Sequence, residues 1–91
     1  MLTLKSREEI ELIRESALIV SKTLGMLAGE VKPGVTTLHL DALAETFIRD
    51  HGAIPGFLGM YGFPNTLCMS PNDQVVHGIP NDTPLVEGDI I

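Results

Sequence analysis

The feature that most constrains the fold is a regular apolar stripe near the amino terminus. Six apolar residues recur at intervals of 3 or 4 between residues 10 and 27, which is the spacing of one face of an α-helix. Ser6 and Glu9 precede the stripe in the S-x-x-E form of a capping box, which begins a helix by satisfying free backbone N–H groups. The pattern predicts a helix from Ser6 to about Ala28, with Gly29 as its stop. The stripe consists of Ile10, Ile13, Ala17, Val20, Leu24 and Leu27.

A second helix is predicted after a Pro- and Gly-containing turn at Val31–Gly34. Thr36 or Thr37 is expected to cap this helix, and Gly52 suits its carboxyl-terminal cap. Because the connection is short, the two helices should pack antiparallel. The predicted apolar face consists of Leu40, Leu43, Ala44, Phe47 and Ile48. The residues expected outside that face are Asp41, Glu45, Arg49 and Asp50.

Beyond Gly52 the sequence changes to short apolar runs that Gly and Pro interrupt, a pattern typical of strands and loops. Asp89–Ile91 has the composition of the first residues of a further strand. We therefore expect an α+β fold in which two antiparallel helices are followed by antiparallel strands. A chain of 91 residues makes at most one domain, with a modest core.

Charge and cysteine content exclude several classes of function. The formal net charge is −6, and all six basic residues lie in the first 49 residues. This distribution argues against a nucleic-acid surface, which needs clustered Lys and Arg. The single cysteine, Cys68, forms no internal disulfide, so a reducing, cytoplasmic location is expected. No apolar run approaches the ~20 residues that span a bilayer, and charges near the amino terminus argue against a signal peptide.

His77 is the candidate catalytic residue, because it follows an apolar run and precedes a Gly-Ile-Pro turn. Functional side chains are often presented at such junctions, and histidine exchanges protons near neutral pH. Gly78 would let a substrate backbone come close, and Pro80 would stiffen the loop. On the residues alone, His77 either satisfies a backbone carbonyl in a loop or acts on a substrate.

Aromatic and sulfur-containing residues are dense between residues 57 and 69. Such side chains most often pack in the core, but the interleaved glycines also suit the wall of a cleft. Cys68 is disfavoured as a nucleophile, since the nearest histidine in sequence is nine positions away. No HExxH or CxxC spacing occurs, so no metal-ligating residue is predicted. The dense group comprises Phe57, Met60, Tyr61, Phe63, Cys68 and Met69.

Four motifs, in order along the chain, together resemble type I methionine aminopeptidases. They are KPGVTT at Lys32–Thr37, GAIP at Gly52–Pro55, GMYGFP at Gly59–Pro64, and C-x-S-x-N-x-x-V-x-H-G-I-P at Cys68–Pro80. The similarity covers nearly the whole chain, and the last motif is specific.

The resemblance implies the pita-bread fold and removal of the initiator methionine from new polypeptides in the cytoplasm. Such enzymes use two divalent metal ions (Co, Mn, Fe, Zn or Ni) to activate a water for hydrolysis. Their ligands, which are two aspartates, a histidine and two glutamates, would all lie beyond Ile91. The 91 residues alone are therefore expected to be inactive. The implied partners are peptides and nascent chains that begin with Met, with the ribosome as a further candidate.

The resemblance assigns the substrate side of the site to this chain. His77 matches the family histidine that contacts the scissile amide and helps to stabilise the tetrahedral intermediate. Met60 stands where tyrosine is more usual, and Pro71 where an aliphatic residue is more usual. Because of the resemblance, four residues are interpreted as lining the methionine side-chain pocket rather than as core. They are Phe57, Met60, Phe63 and Cys68.

Three hypotheses follow. In the first, residues 1–91 are the amino-terminal part of a single pita-bread catalytic domain, truncated before the metal-ligand strands, and an Asp follows within a few residues of Ile91. In the second, the protein is a non-enzymatic pita-bread homologue that acts as a binding module. In the third, it is a small helical interaction protein built on the apolar stripe, and residues 1–52 would fold and self-associate alone.

Overall fold

Two α-helices and one short 3-10 helix form the regular structure of residues 2–91. The computed structural model describes residues 2–91. Helix α1 spans Arg7–Ala28, helix α2 spans Thr37–Asp50, and the 3-10 helix spans Met60–Gly62. Both predicted α-helices are therefore confirmed.

Helix α1 begins at the predicted capping box. The Ser6 hydroxyl accepts a hydrogen bond from the Glu9 backbone N–H at 3.1 Å, and the Glu9 carboxylate accepts one from the Ser6 N–H at 2.7 Å. These bonds satisfy donors that the first turn of a helix leaves free. The bond from the Ser6 backbone, and then the contact with its side chain, lower the pKa of Glu9 below its ordinary value of 4.5. Gly29 caps the other end, as predicted.

Helix α2 begins at Thr36, whose hydroxyl accepts a hydrogen bond from the His39 N–H at 3.0 Å. The carboxyl-terminal cap is His51 rather than Gly52. Gly52 is the next residue and has a φ of 78°, which glycine adopts without the steric cost of a side chain. The sequence therefore placed the end of the helix one residue too late.

The core lies where the two helices meet the carboxyl-terminal segment. Its buried apolar residues are Leu27 of α1, Leu40 and Ala44 of α2, and Leu85. Leu85 is held beside the start of α2, since its N–H donates to the Val35 carbonyl at 2.8 Å. The apolar face predicted for α2 thus faces the interior.

One detail of that prediction is wrong. Asp41 was expected outside the apolar face, but it is only 5% exposed. Its carboxylate accepts hydrogen bonds from the Leu67 N–H at 2.7 Å and from Asn65 Nδ2 at 3.1 Å. A buried carboxylate needs such donors. Asp41 therefore attaches the segment after the 3-10 helix to α2.

The apolar stripe of α1 is largely exposed. Of its six members only Leu27 is buried, and Leu24 is 62% exposed. The periodicity predicted the helix correctly, but within residues 2–91 little of the chain covers that face.

The antiparallel strands expected after Gly52 are not seen in residues 2–91. One isolated antiparallel bridge joins Thr36 to Pro84. A strand requires a neighbour that pairs with its backbone groups along its length. The segment after Gly52 instead makes single hydrogen bonds to α2. For example, the Asn81 N–H donates to the Thr37 hydroxyl at 2.9 Å.

Candidate functional site: an apolar groove beside His77

An open groove with a cavity volume of about 310 Å³ lies between the 3-10 helix and the loop that carries His77. Its lining is mostly apolar and aromatic, which is typical of small-molecule and side-chain sites. The lining residues are Phe57, Met60, Tyr61, Gly62, Phe63 and His77.

A tight double turn builds one wall of the groove. Gly59 N–H donates to the Phe63 carbonyl at 2.8 Å, and Phe63 N–H donates to the Met60 carbonyl at 2.9 Å. Gly59 has a φ of 81°, which explains why glycine stands there. The turn brings Phe57 and Phe63 together, and their rings meet edge to face with centroids 4.9 Å apart.

His77 forms the other side of the groove. Its ring centroid lies 5.9 Å from that of Phe57, and the ring planes are tilted by 42°. The side chain is exposed, so the ring borders both the apolar lining and solvent. A histidine in this position can contact a molecule whose apolar part occupies the groove.

The backbone at His77 is left-handed, with a φ of 55°. The next residue, Gly78, is buried and bonded at both ends. Its N–H donates to Ser70 Oγ at 3.0 Å, and its carbonyl accepts from the Met69 N–H at 2.8 Å. A Cβ atom at Gly78 would collide with the Met69 carbonyl oxygen, so glycine is required at this position.

Asn72 anchors the same loop to the carboxyl-terminal segment. Its N–H donates to the Ile90 carbonyl at 2.7 Å, its side-chain oxygen accepts from the Ile90 N–H at 3.1 Å, and its amide donates to Asp89 Oδ1 at 3.2 Å. Asp89 also accepts from the Val86 N–H at 2.9 Å. The bond from Val86, and then that from Asn72, lower the pKa of Asp89 below its ordinary value of 3.8.

Four of the five site residues named from the sequence lie together. Phe57, Met60, Phe63 and His77 line the groove. Cys68 is exposed and is not among the lining residues, so its assignment rests on the sequence motif alone. Tyr61 belongs to the dense aromatic group but was not among the predicted site residues; it lies fully exposed at the groove with a φ of 49°. The glycines on either side of the Met60–Tyr61 pair were the signal for this tight turn.

The described part of the chain, residues 2–91, contains no group of three or more His, Cys, Asp or Glu residues placed to hold a metal ion. These residues therefore do not fit the dinuclear centre that the motifs imply. Among residues 2–91, neither helix combines the length and the apolarity that a membrane span requires.

The family model of metallopeptidase family M24 matches residues 11–91, so the chain belongs to that metallopeptidase family. The methionine aminopeptidase of Clostridium perfringens is 50% identical over 91 residues, which are 100% of this chain and 36% of that protein. The methionine aminopeptidase of Helicobacter pylori (strain 26695) is 49% identical over 90 residues, 99% of this chain and 36% of that protein. The chain thus spans about a third of the length of these relatives, and the resemblance drawn from the motifs is confirmed.

A solved structure shows the same relation. The crystal structure of methionine aminopeptidase from Rickettsia prowazekii superposes with a TM-score of 0.88 at 41% identity, covering 98% of this chain and 36% of that one. The two helices and the groove-bearing loops therefore correspond to the amino-terminal part of a methionine aminopeptidase fold.

Proposed function

We propose that the chain is the amino-terminal part of the pita-bread catalytic domain of a methionyl aminopeptidase, and that it supplies the substrate side of the active site. One observation carries the proposal: His77 and three apolar residues from an earlier part of the chain, Phe57, Met60 and Phe63, converge on one groove. The three apolar residues lie 14 to 20 positions before His77 in the sequence, and the fold assembles them with His77 into one binding surface.

The groove holds the side chain of the substrate's amino-terminal methionine. Its cavity volume of about 310 Å³ is at the lower end of the range for ligand sites. Phe57 and Phe63 present aromatic rings to it, and a thioether makes favourable contacts with aromatic rings, worth about 0.3–1.5 kcal/mol each. Met60 adds a flexible apolar wall in place of the more usual tyrosine. By its motif, Cys68 also belongs to this pocket.

His77 acts on the peptide bond that is cleaved. With the methionine side chain beside Phe57, the ring of His77 lies at the edge of the groove, where the scissile amide follows. There a ring N–H of His77 donates to the carbonyl oxygen of the scissile amide, which becomes negatively charged in the tetrahedral intermediate. The role of His77 is to orient the scissile amide and to stabilise the negative charge of the intermediate.

The metal half of the site belongs to residues outside this chain. Two divalent ions, of Co, Mn, Fe, Zn or Ni, would be held there and would supply an activated water. The sheet of the pita-bread fold also needs that part, since the segments after Gly52 form no strands among residues 2–91. The expected substrates are peptides and nascent chains in the cytoplasm, with the ribosome as a further candidate partner.

The test uses the longer polypeptide that the reading frame containing this chain encodes. We expect bound divalent metal, release of methionine from a Met-Ala-Ser peptide, and much weaker cleavage of a Lys-Ala-Ser peptide, whose charged side chain would lose its hydration in the groove.

The alternative, a non-enzymatic pita-bread homologue acting as a binding module, makes the opposite prediction. A longer polypeptide that contains no divalent metal and releases no methionine, or a reading frame that stops at Ile91, would exclude the aminopeptidase.

A further inference from the structure

We infer that Ser70 is a positioning residue, whose hydroxyl holds the ring of His77 over the groove. The inference rests on the function proposed above for His77. It begins with the left-handed backbone of His77, which has a φ of 55°. For a residue with a side chain this conformation is sterically unfavourable, and it persists only where neighbouring contacts impose it.

The contacts that impose this backbone conformation on His77 are made by the next residue, Gly78. The peptide between His77 and Gly78 is fixed by one hydrogen bond, from the Gly78 N–H to Ser70 Oγ at 3.0 Å. The Gly78 carbonyl is fixed separately by the Met69 N–H at 2.8 Å. Within residues 2–91, Ser70 is therefore the one side chain that accepts a hydrogen bond from the N–H that follows His77.

The position of the ring depends on that peptide. The ring centroid of His77 lies 5.9 Å from that of Phe57, and the side chain is exposed. The backbone conformation of His77 therefore determines where the ring lies. If the Ser70 bond is lost, the backbone can relax to a negative φ, and the ring then leaves the groove. Ser70 thus acts on the substrate through His77 without touching it.

Three variants separate positioning from general stability. Ser70→Ala removes the acceptor, Ser70→Thr keeps it, and Ser21→Ala makes the same chemical change at an exposed position of α1. Ser70→Cys preserves the volume with a weak acceptor and replaces Ser70→Ala if circular dichroism shows that the alanine variant has lost its helices.

The first readout is nuclear Overhauser contact between the rings of His77 and Phe57. We expect these contacts in the wild type, Ser70→Thr and Ser21→Ala, and their loss in Ser70→Ala. Contacts that persist in Ser70→Ala would overturn the inference. This readout does not depend on activity.

The second readout is cleavage of Met-Ala-Ser by the longer, metal-loaded polypeptide. Ser70→Ala should lower kcat by about tenfold to a hundredfold, as for a slightly misplaced catalytic group. KM should change less than about twofold, because the apolar residues Phe57, Met60 and Phe63 that contact the methionine side chain stay in place. Ser70→Thr should recover the wild-type kcat. An equal kcat in Ser70→Ala and wild type would contradict the inference, whereas an inactive wild type would reject the proposed function and leave the ring contacts to decide the role of Ser70.

Discussion

Left-handed backbone at residues with side chains marks the loops around the groove. Tyr61, Asn72 and His77 have φ values of 49°, 54° and 55°. Tyr61 and His77 line the groove, and Asn72 ties the His77 loop to the carboxyl-terminal segment. Conformations of this kind concentrate at functional sites because the surrounding structure must impose them.

The glycines of these loops give a residue-scale prediction. Gly78→Ala should destabilise the chain strongly, because the new Cβ meets the Met69 carbonyl and lies 2.7 Å from Gln74 Oε1. Gly62→Ala has free space but a φ of 78°, so it should cost only about 1–2 kcal/mol. Gly56→Ala has neither problem and is the control. Urea unfolding midpoints should fall in the order Gly56→Ala, Gly62→Ala, Gly78→Ala, and a Gly78→Ala midpoint equal to the control would show that the loop is not held as described.

Four of the residues that the family resemblance assigns to the substrate side, His77, Phe57, Met60 and Phe63, line one groove. Their roles in that groove stay predictions. The burial of Asp41 was not predictable, because its hydrogen-bond donors lie 24 and 26 positions away in sequence. Helical spacing shows which way a residue points along one helix, but not which loop packs on that side.

At the scale of elements, the helices follow from local signals and the loops do not. The capping box and the apolar spacing determine α1 within a residue at each end. The strands expected after Gly52 depend on pairing with a distant neighbour, which alternation in one segment cannot supply. Some backbone N–H groups of that segment, such as those of Leu67 and Asn81, instead donate to side chains of α2.

The capping box predicts a pH dependence for α1. The pKa of Glu9 is lower in the folded chain than its ordinary value of 4.5, so its contribution is complete above that value and is lost as the pH falls below it through the folded pKa. Amide exchange in the first turn of α1 should therefore lose protection below pH of about 4.5, after correction for the intrinsic rate. Glu9→Gln, which can still accept the Ser6 bond, should show no such change; the same pH response in both proteins would contradict this origin.

Asp41 gives a second prediction at this scale, since it joins α2 to the segment around Leu67. Asp41→Ala leaves the Leu67 N–H without its acceptor and should cost about 2 kcal/mol of unfolding free energy. Asp50→Ala, an exposed change at the end of the same helix, should cost less than about 0.5 kcal/mol. Equal costs by urea denaturation would mean that the Asp41 bonds do not hold the segment.

At the scale of the whole molecule, the core is small and much apolar surface remains in contact with water. Four buried apolar side chains form the core, while Ile10, Ile13, Val20 and Leu24 of the α1 stripe are 46–62% exposed. Chains of this size gain little stability from a single core. The 91 residues alone should therefore be only marginally stable, and should bind hydrophobic dyes.

Two leucines test whether the stripe is exposed in solution. Leu40 is fully buried and Leu24 is 62% exposed. Leu40→Ala should cost about 2–5 kcal/mol, or unfold the chain, and Leu24→Ala less than about 0.5 kcal/mol. A large cost for Leu24→Ala that grows with protein concentration would mean that copies of the chain cover the stripe, as the hypothesis of a helical interaction protein requires.

The central claim is that His77 and the groove supply the substrate side of an aminopeptidase site. The most direct measurement is kcat for Met-Ala-Ser cleavage by the longer, metal-loaded polypeptide carrying His77→Ala, with the exposed His39→Ala as its control. We predict that His77→Ala lowers kcat by about 10²-fold or more, with the metal content unchanged, and that His39→Ala has no effect. A His77→Ala variant that keeps the wild-type kcat would contradict the account.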